Sequence, residues 1–181
     1  MLRWTTPVLL ALLAPAYSGQ PFDRSPTHGA AEFVAVASDF SELLQWPHVD
    51  LGVIAVGGHP EGHRHVYANR MLHSSERRYP IGSIVVKVVE RGHSMRDWDV
   101  VAMVKRGGGF NSEGAVDWEF FVLVIERSGR VRIAGRGEQP QSDHPDEYLA
   151  GDVGCNDCHG TRDARELDGM LSLQMRPAGS R

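Results

Sequence analysis

The chain has 181 residues, of which 41% are hydrophobic and 23% are charged. This length and composition predict one globular domain with one substantial core, and they exclude collagen-like and low-complexity chains. The formal net charge of -4 at pH 7 argues against a nucleic-acid-binding protein, because such a protein usually carries a basic excess.

The first 20 residues have the pattern of a secretory signal. Arg3 supplies a short positive region, residues 8–14 form an apolar run of about seven residues, and small residues surround Ser18. The run is shorter than the roughly 20 apolar residues that a transmembrane helix needs, and no later segment reaches that length. We therefore expect residues 1–18 to be a signal peptide, the mature protein to be periplasmic or otherwise exported, and no segment to span a membrane. An uncleaved anchor or a buried first helix is the alternative.

The mature chain begins with a segment, residues 19–36, whose Gly, Pro and Ser content predicts a flexible N-terminal extension. A short helix capped near Asp39 and ended by Pro47 follows. Apolar alternation or β-branched enrichment predicts strands over 49–55, 65–68, 81–90, 100–105, 117–126 and 131–134. Short helices are predicted over 69–78, 146–149 and 165–173. Because the strands succeed one another without long helices between them, the pattern favours an α+β fold with a mainly antiparallel β-sheet and a few short helices.

The strongest chemical signal is a C-x-x-C-H motif formed by Cys155, Cys158 and His159. Two thiols at this spacing attach a porphyrin through thioether bonds, and the adjacent imidazole then binds the iron as the proximal ligand. The motif therefore predicts one c-type haem per chain. The alternatives are a zinc site, which needs further ligands at short spacing, a redox C-x-x-C, which occurs early in a βαβ unit, and a disulfide closing a very short loop.

The position of the motif bears on the sixth ligand of the iron. Only 22 residues follow His159, and Met170 and Met175 are the methionines among them. Because both are close in sequence to His159, we expect them on the same, proximal side. The iron is then five-coordinate and open to a small ligand, whereas a six-coordinate iron mainly transfers electrons.

The chain resembles the cytochrome P-460 family, which includes the cytochromes c-prime-beta. The likeness rests on the run from Tyr79 to Lys87, the run from Asp117 to Phe121 and the late C-x-x-C-H motif, and it spans about residues 40–175. The resemblance implies a mainly antiparallel haem domain over residues 37–181, often dimeric. It also implies that Lys87 corresponds to the strand lysine that the namesake enzymes link covalently to the haem ring.

From the residues alone, Lys87 lies on a strand that is apolar on both faces, where a lysine is costly unless it is paired, neutral or covalently used. The alternative is an edge-strand lysine whose ammonium group reaches water. Both interpretations stay open at this point.

The resemblance also implies two activities. The namesake enzymes oxidise hydroxylamine, whereas the c-prime-beta relatives bind nitric oxide or other diatomic ligands. In the hydroxylamine-oxidising members a glutamate directly before the first haem cysteine looks like the proton acceptor, and here that position is Gly154. The absence of this glutamate favours binding of nitric oxide or a related nitrogen ligand over oxidation of hydroxylamine or nitric oxide. A simple electron-transfer cytochrome with a redox partner protein is a third possibility.

Three further groups of residues are candidates for supporting roles. Aromatic residues that could line the distal side are Tyr79, Phe110, Trp118 and Phe120. Arg162, Arg165 and Arg176 lie near the motif, where an arginine could pair with a haem propionate. His59, His63 and His65 could bind a metal ion, because imidazoles suit Zn, Cu or Ni, although a solvated hairpin loop is the favoured interpretation.

Overall fold

The main element of the fold is a six-stranded antiparallel sheet whose strand order follows the order of the chain. The structure, a computed structural model, describes residues 31–53, 61–70, 72, 76–140 and 154–171. The strands are β1 His48–Val53, β2 His63–Ala68, β3 Ile84–Glu90, β4 Asp99–Lys105, β5 Trp118–Ile125 and β6 Val131–Gly137. The prediction of a mainly antiparallel sheet with a few short helices is confirmed.

The helices of the described residues are all short. The 3-10 helices are Ala37–Phe40, Leu43–Gln45 and Met95–Asp97, and the α-helices are α1 Cys155–His159 and α2 Arg162–Glu166. The single helix predicted near Asp39 is therefore two 3-10 turns. Within the described ranges, no helix has the length and the apolar character needed to cross a membrane.

Two of the predicted helices differ from the structure. No described position between 69 and 78 is helical. Asn69 bonds to the first residue of β3 instead: its side-chain oxygen accepts from the Ile84 N–H at 2.9 Å, and its own N–H donates to the Ile84 carbonyl at 3.1 Å. The helix predicted over 165–173 ends at Glu166, because Asp168 and Gly169 take positive φ angles of 55° and 83°. The turn predicted at 146–149 lies outside the described residues.

The sheet is buried on both faces, which explains why its central strands are apolar throughout. On β3, Ile84, Val86 and Val88 pack on the first face with Phe40 and Leu43 of the N-terminal turns. Val85 lies on the second face, in a cluster with Met103, Trp118, Phe120 and Met170. The N-terminal segment therefore covers one face, and the segment that carries α1 and α2 covers the other.

Residues 31–36, the described part of the predicted N-terminal extension, contact the sheet. The Phe33 N–H donates to the Arg106 carbonyl at 2.8 Å, and Ala35 is fully buried. The Arg136 guanidinium donates to the Ala35 carbonyl at 3.0 Å while it also pairs with the buried carboxylate of Glu119 at 2.7 Å. These contacts join the segment to β5 and β6.

A buried ion pair joins the C-terminal segment to the second face. The Lys105 ammonium donates to the Asp168 carboxylate at 2.6 Å, and both side chains are only 6% exposed. The same carboxylate accepts from the Tyr79 N–H at 2.6 Å, and the Asp168 carbonyl accepts from the Trp118 indole N–H at 2.8 Å. Asp168 thus connects three parts of the chain that are distant in sequence.

The substitution Asp168→Asn tests this connection. It leaves the Lys105 ammonium buried without its counter-ion, so we expect the free energy of unfolding to fall by about 3–5 kcal/mol. Urea unfolding monitored by circular dichroism measures the change. The matched control is Asp163→Asn, at an exposed position in the first turn of α2, where we expect a loss below about 1 kcal/mol. Equal effects of the two substitutions would contradict a special role for the buried pair.

Candidate functional site

The C-x-x-C-H motif forms one turn of helix, α1, against the second face of the sheet. Cys155 and Cys158 are three residues apart and so lie on the same side of this turn. Both thiols are free and partly buried, and Cys155 packs against the second-face cluster. Burial raises the pKa of the Cys155 thiol to about 11, so the group is a neutral thiol at neutral pH. The motif therefore presents two neighbouring thiols beside the apolar face.

Asn156, the residue after the first cysteine, positions α1. Its side-chain amide exchanges hydrogen bonds with that of Asn111, at 2.8 and 2.9 Å, and its oxygen also accepts from the Ala115 N–H at 3.0 Å. The helix lies so close to this loop that a Cβ at Gly114 would overlap the Asn156 side chain, and a Cβ at Gly160 would come within 3.0 Å of Gly114 Cα. Asn156 and the two glycines thus dock the motif onto the β4–β5 loop.

The His159 ring is oriented by the backbone that follows α2. His159 Nδ1 lies 2.7 Å from the Gly169 carbonyl oxygen, so Nδ1 donates and Nε2 keeps its lone pair. Burial lowers the pKa of His159 to about 4 against the opposing effect of this hydrogen bond, and the charge of Lys87 lowers it further. The ring also contacts Phe120, with the ring centroids 5.6 Å apart. A neutral imidazole in this tautomer is the form that binds a metal through Nε2.

Lys87 lies on the same face as the motif. β3 pairs with both β2 and β4, where the neighbours of Lys87 are Val66 and Val101, so the edge-strand alternative is wrong. Among the described residues, Lys87 has no hydrogen bond or ion pair. Burial lowers its pKa to about 7, the like charge of Arg64 contributes, and the two cysteines act in the opposite direction. The fold therefore brings Lys87 within electrostatic range of Cys155, Cys158 and His159.

The donor set of this site fits a covalently attached haem. It offers two neighbouring thiols, an imidazole held in the metal-binding tautomer by a backbone carbonyl, and an apolar sheet face with the aromatic ring of Phe120. The residues that would hold the group are Cys155, Cys158 and His159, with Lys87 next to them. A zinc site is less suited, because no other cysteine or histidine joins these three among the described residues.

The remaining sequence-predicted residues divide between this face and other places. Tyr79, Trp118 and Phe120 all belong to the second-face cluster, whereas Phe110 packs under the Arg106 guanidinium at 4.4 Å. Arg165 is engaged with the Gly160 and Glu113 carbonyls at 2.9 and 2.6 Å. Arg162 pairs with Glu166 on the surface at 3.7 Å. Met175, Arg176 and His59 lie outside the described residues.

Several residues that contact or neighbour the motif and Lys87 carry little local signal in the sequence that would predict this role. Asn111 and Asn156 dock α1, and the side-chain oxygen of Gln139 accepts from the Cys155 N–H at 3.1 Å. The Gly169 carbonyl holds His159, and Arg64 is a buried arginine near Lys87. The one signal for the Gly169 contact was the Asp-Gly pair at 168–169, which is typical of a turn. The other contacts join segments that are distant along the chain.

Comparisons with protein-family models, with curated protein sequences and with solved structures found no match for this chain.

The depressed pKa of Lys87 predicts a pH dependence of stability in the chain produced without haem. The folded state releases the Lys87 proton near pH 7, while the unfolded chain keeps it until about 10.5. Because the unfolded state then binds more protons, the wild type should gain stability relative to Lys87→Met as the pH rises from about 7 toward 10.5, with no change from this group below that window. Urea unfolding of both proteins at several pH values measures the difference, and parallel profiles would mean that Lys87 stays protonated.

Proposed function

We propose that this chain is an exported mono-haem c-type cytochrome that resembles the cytochrome P-460 and c-prime-beta proteins. In this proposal Cys155 and Cys158 hold the porphyrin, His159 is the proximal iron ligand and Lys87 contacts the ring. The observation that carries it is the convergence of Lys87 with all three motif residues on one apolar sheet face. When bound, a haem with one open iron position supplies a site for nitric oxide or a related nitrogen ligand.

The chain's own residues support an open sixth position. Met170 is buried in the second-face cluster, and its neighbour Gly169 accepts the hydrogen bond of His159 Nδ1, so in this proposal Met170 would lie on the side of His159 and would not be the sixth ligand. Tyr79 and Trp118, in edge-to-face contact at 5.4 Å, belong to the same cluster, and the Lys105 ammonium lies 4.9 Å from the centroid of the Trp118 ring.

Gly154 argues against the hydroxylamine-oxidase alternative, because it occupies the position where the resemblance implies a proton-accepting glutamate. A Cβ at this position would overlap the side chain of Gln139, so a neutral amide lies against the place where the resemblance implies a glutamate. Oxidation of hydroxylamine requires the removal of protons, and a positioned carboxylate is the natural acceptor. We therefore propose ligand binding as the primary function and hydroxylamine or nitric oxide oxidation as the second candidate.

Covalent haem attachment is the first test. Expressed in a host with a c-type maturation system, the full chain should be exported and coloured, and its intact mass should exceed that of the mature polypeptide by one haem. Cys155→Ser with Cys158→Ser should abolish the mass increase, because no thioether can form. The control is the wild-type chain made without maturation. A colourless wild-type protein of bare polypeptide mass, despite active maturation, would overturn the proposal.

The same preparation reports on Lys87. Mass spectrometry of the haem peptide distinguishes a ring linked to the cysteines alone from one also linked to Lys87. In the second case the spectrum of the reduced protein should show a long-wavelength band that Lys87→Ala removes. Unchanged haem spectra in Lys87→Ala would exclude the cross-link and leave Lys87 as a contact residue.

Ligand uptake is the second test and separates the candidate functions. The ferrous protein should bind nitric oxide and carbon monoxide, and the volume-conserving Met170→Leu should leave its spectrum and uptake unchanged, because Met170 is not an iron ligand. A spectral change in Met170→Leu, with no gas uptake by the wild type, would favour an electron carrier. Reduction of an electron acceptor by the ferric protein with hydroxylamine would favour the oxidase.

A further inference from the structure

A second group of ligand-type side chains lies on the first face of the sheet, where β1 and β2 pair. Asp50 is opposite His65, and His63 is two residues before His65 on the same strand. Alternate residues of a strand point to opposite faces, so His63 and His65 share the face of Tyr67 and lie opposite Val66 and the haem-attachment motif. One ligand atom from each of Asp50, His63 and His65 lies within 4.8 Å of the other two.

The backbone of β1 holds the Asp50 carboxylate in this position. The strand register shifts between Asp50 and Gly52, and Gly52 takes a φ of 65°, which favours glycine. This bulge lets the Gly52 N–H donate to the Asp50 carboxylate at 2.8 Å, and His63 Nε2 lies 2.7 Å from the same oxygen. The carboxylate is thereby oriented toward the His63 imidazole, and one of its oxygens lies within 4.8 Å of a His65 ring nitrogen.

His65 has one nitrogen that no described residue satisfies. Its Nδ1 is buried and has no hydrogen-bond partner within the described ranges, while its Nε2 lies 3.4 Å from a Glu90 carboxylate oxygen. The ring stacks on that of His63 with the centroids 4.7 Å apart and an interplanar angle of 9°. A buried imidazole nitrogen without a partner, next to a second imidazole and two carboxylates, has the surroundings of a metal ligand.

The donor types select the class of ion. Two imidazoles and one carboxylate suit first-row divalent cations such as Zn²⁺ and Cu²⁺, whereas Ca²⁺ and Mg²⁺ prefer oxygen ligands. Ligand atoms on one tetrahedral ion lie about 3.3 Å apart, so the cluster has to contract on binding. The side chains of Asp50 and His63 are 55% and 43% exposed, which leaves them room to rotate.

We propose that Asp50, His63 and His65 bind one Zn²⁺ or Cu²⁺ ion on the face of the sheet opposite the haem-attachment motif, with Glu90 orienting the His65 ring. Three protein ligands leave a coordination position for water or a small ligand. The site is independent of the proposed haem, because none of its ligands belongs to the second face.

The test is calorimetric titration of the full mature chain with ZnCl₂. The thiols are alkylated wherever they are not already linked to haem, so that Cys155 and Cys158 do not contribute binding. We expect one ion per chain, and His63→Ala and the isosteric Asp50→Asn should each weaken the affinity by at least about tenfold. The matched control is His93→Ala, an exposed histidine outside the cluster, which should leave the affinity unchanged.

Spectroscopy with Cu²⁺ supplies a second readout. The electron paramagnetic resonance spectrum of one bound Cu²⁺ should show coupling to two imidazole nitrogens, reduced to one in His63→Ala. The proposal is overturned if the thiol-blocked wild type binds no Zn²⁺ up to about 1 mM, or if His63→Ala, Asp50→Asn and His93→Ala all bind as the wild type does. Circular dichroism of each variant shows that its fold is retained, and Asp50→Asn alone decides the outcome if His63→Ala misfolds.

Discussion

The arrangement of the second face depends on the buried ion pair between Lys105 and Asp168. The pair fixes the turn at 168–169 against the sheet, and the next carbonyl, that of Gly169, then determines which nitrogen of His159 carries the proton. A buried charge pair is seldom a large source of net stability, but loss of one partner is strongly destabilising. The contacts of Asp168 with Lys105 and Tyr79 therefore tie the segment that follows the motif to the sheet.

The two proposed sites lie on opposite faces of the sheet, and each face is covered by a different part of the chain. The N-terminal turns cover the face that carries the Asp50, His63 and His65 cluster at its β1–β2 end, and the C-terminal helices cover the face that carries Lys87 and the motif. Since strand residues alternate between faces, neighbours in sequence such as His65 and Val66 face different sides of the sheet. The proposed haem and metal-ion functions are therefore separable by mutation.

Local signals predicted the strands well and the helices poorly. β-branched runs such as that around Val85 identify strands in any context, because their side chains suit a pleated and buried surface. At the start of the helix expected over 69–78, Asn69 bonds instead to Ile84, a contact that the local pattern does not contain, and none of the described positions of this range is helical. The helix expected to reach residue 173 stops because Asp168 turns its carboxylate toward Lys105 and Tyr79. In both cases a long-range polar contact overrides a local preference.

The amino-acid sequence by itself determined the antiparallel sheet and the presence of two thiols and an imidazole at the spacing that c-type haem attachment requires, because both depend on residues close along the chain. Only the tertiary structure decided that Lys87 is on an interior strand beside that motif, that His159 keeps Nε2 available, and that Asp50 joins His63 and His65. The strand register and the docking of the C-terminal segment determine which of these side chains lie next to one another. Both arise from packing between distant segments, which spacing along a chain does not specify.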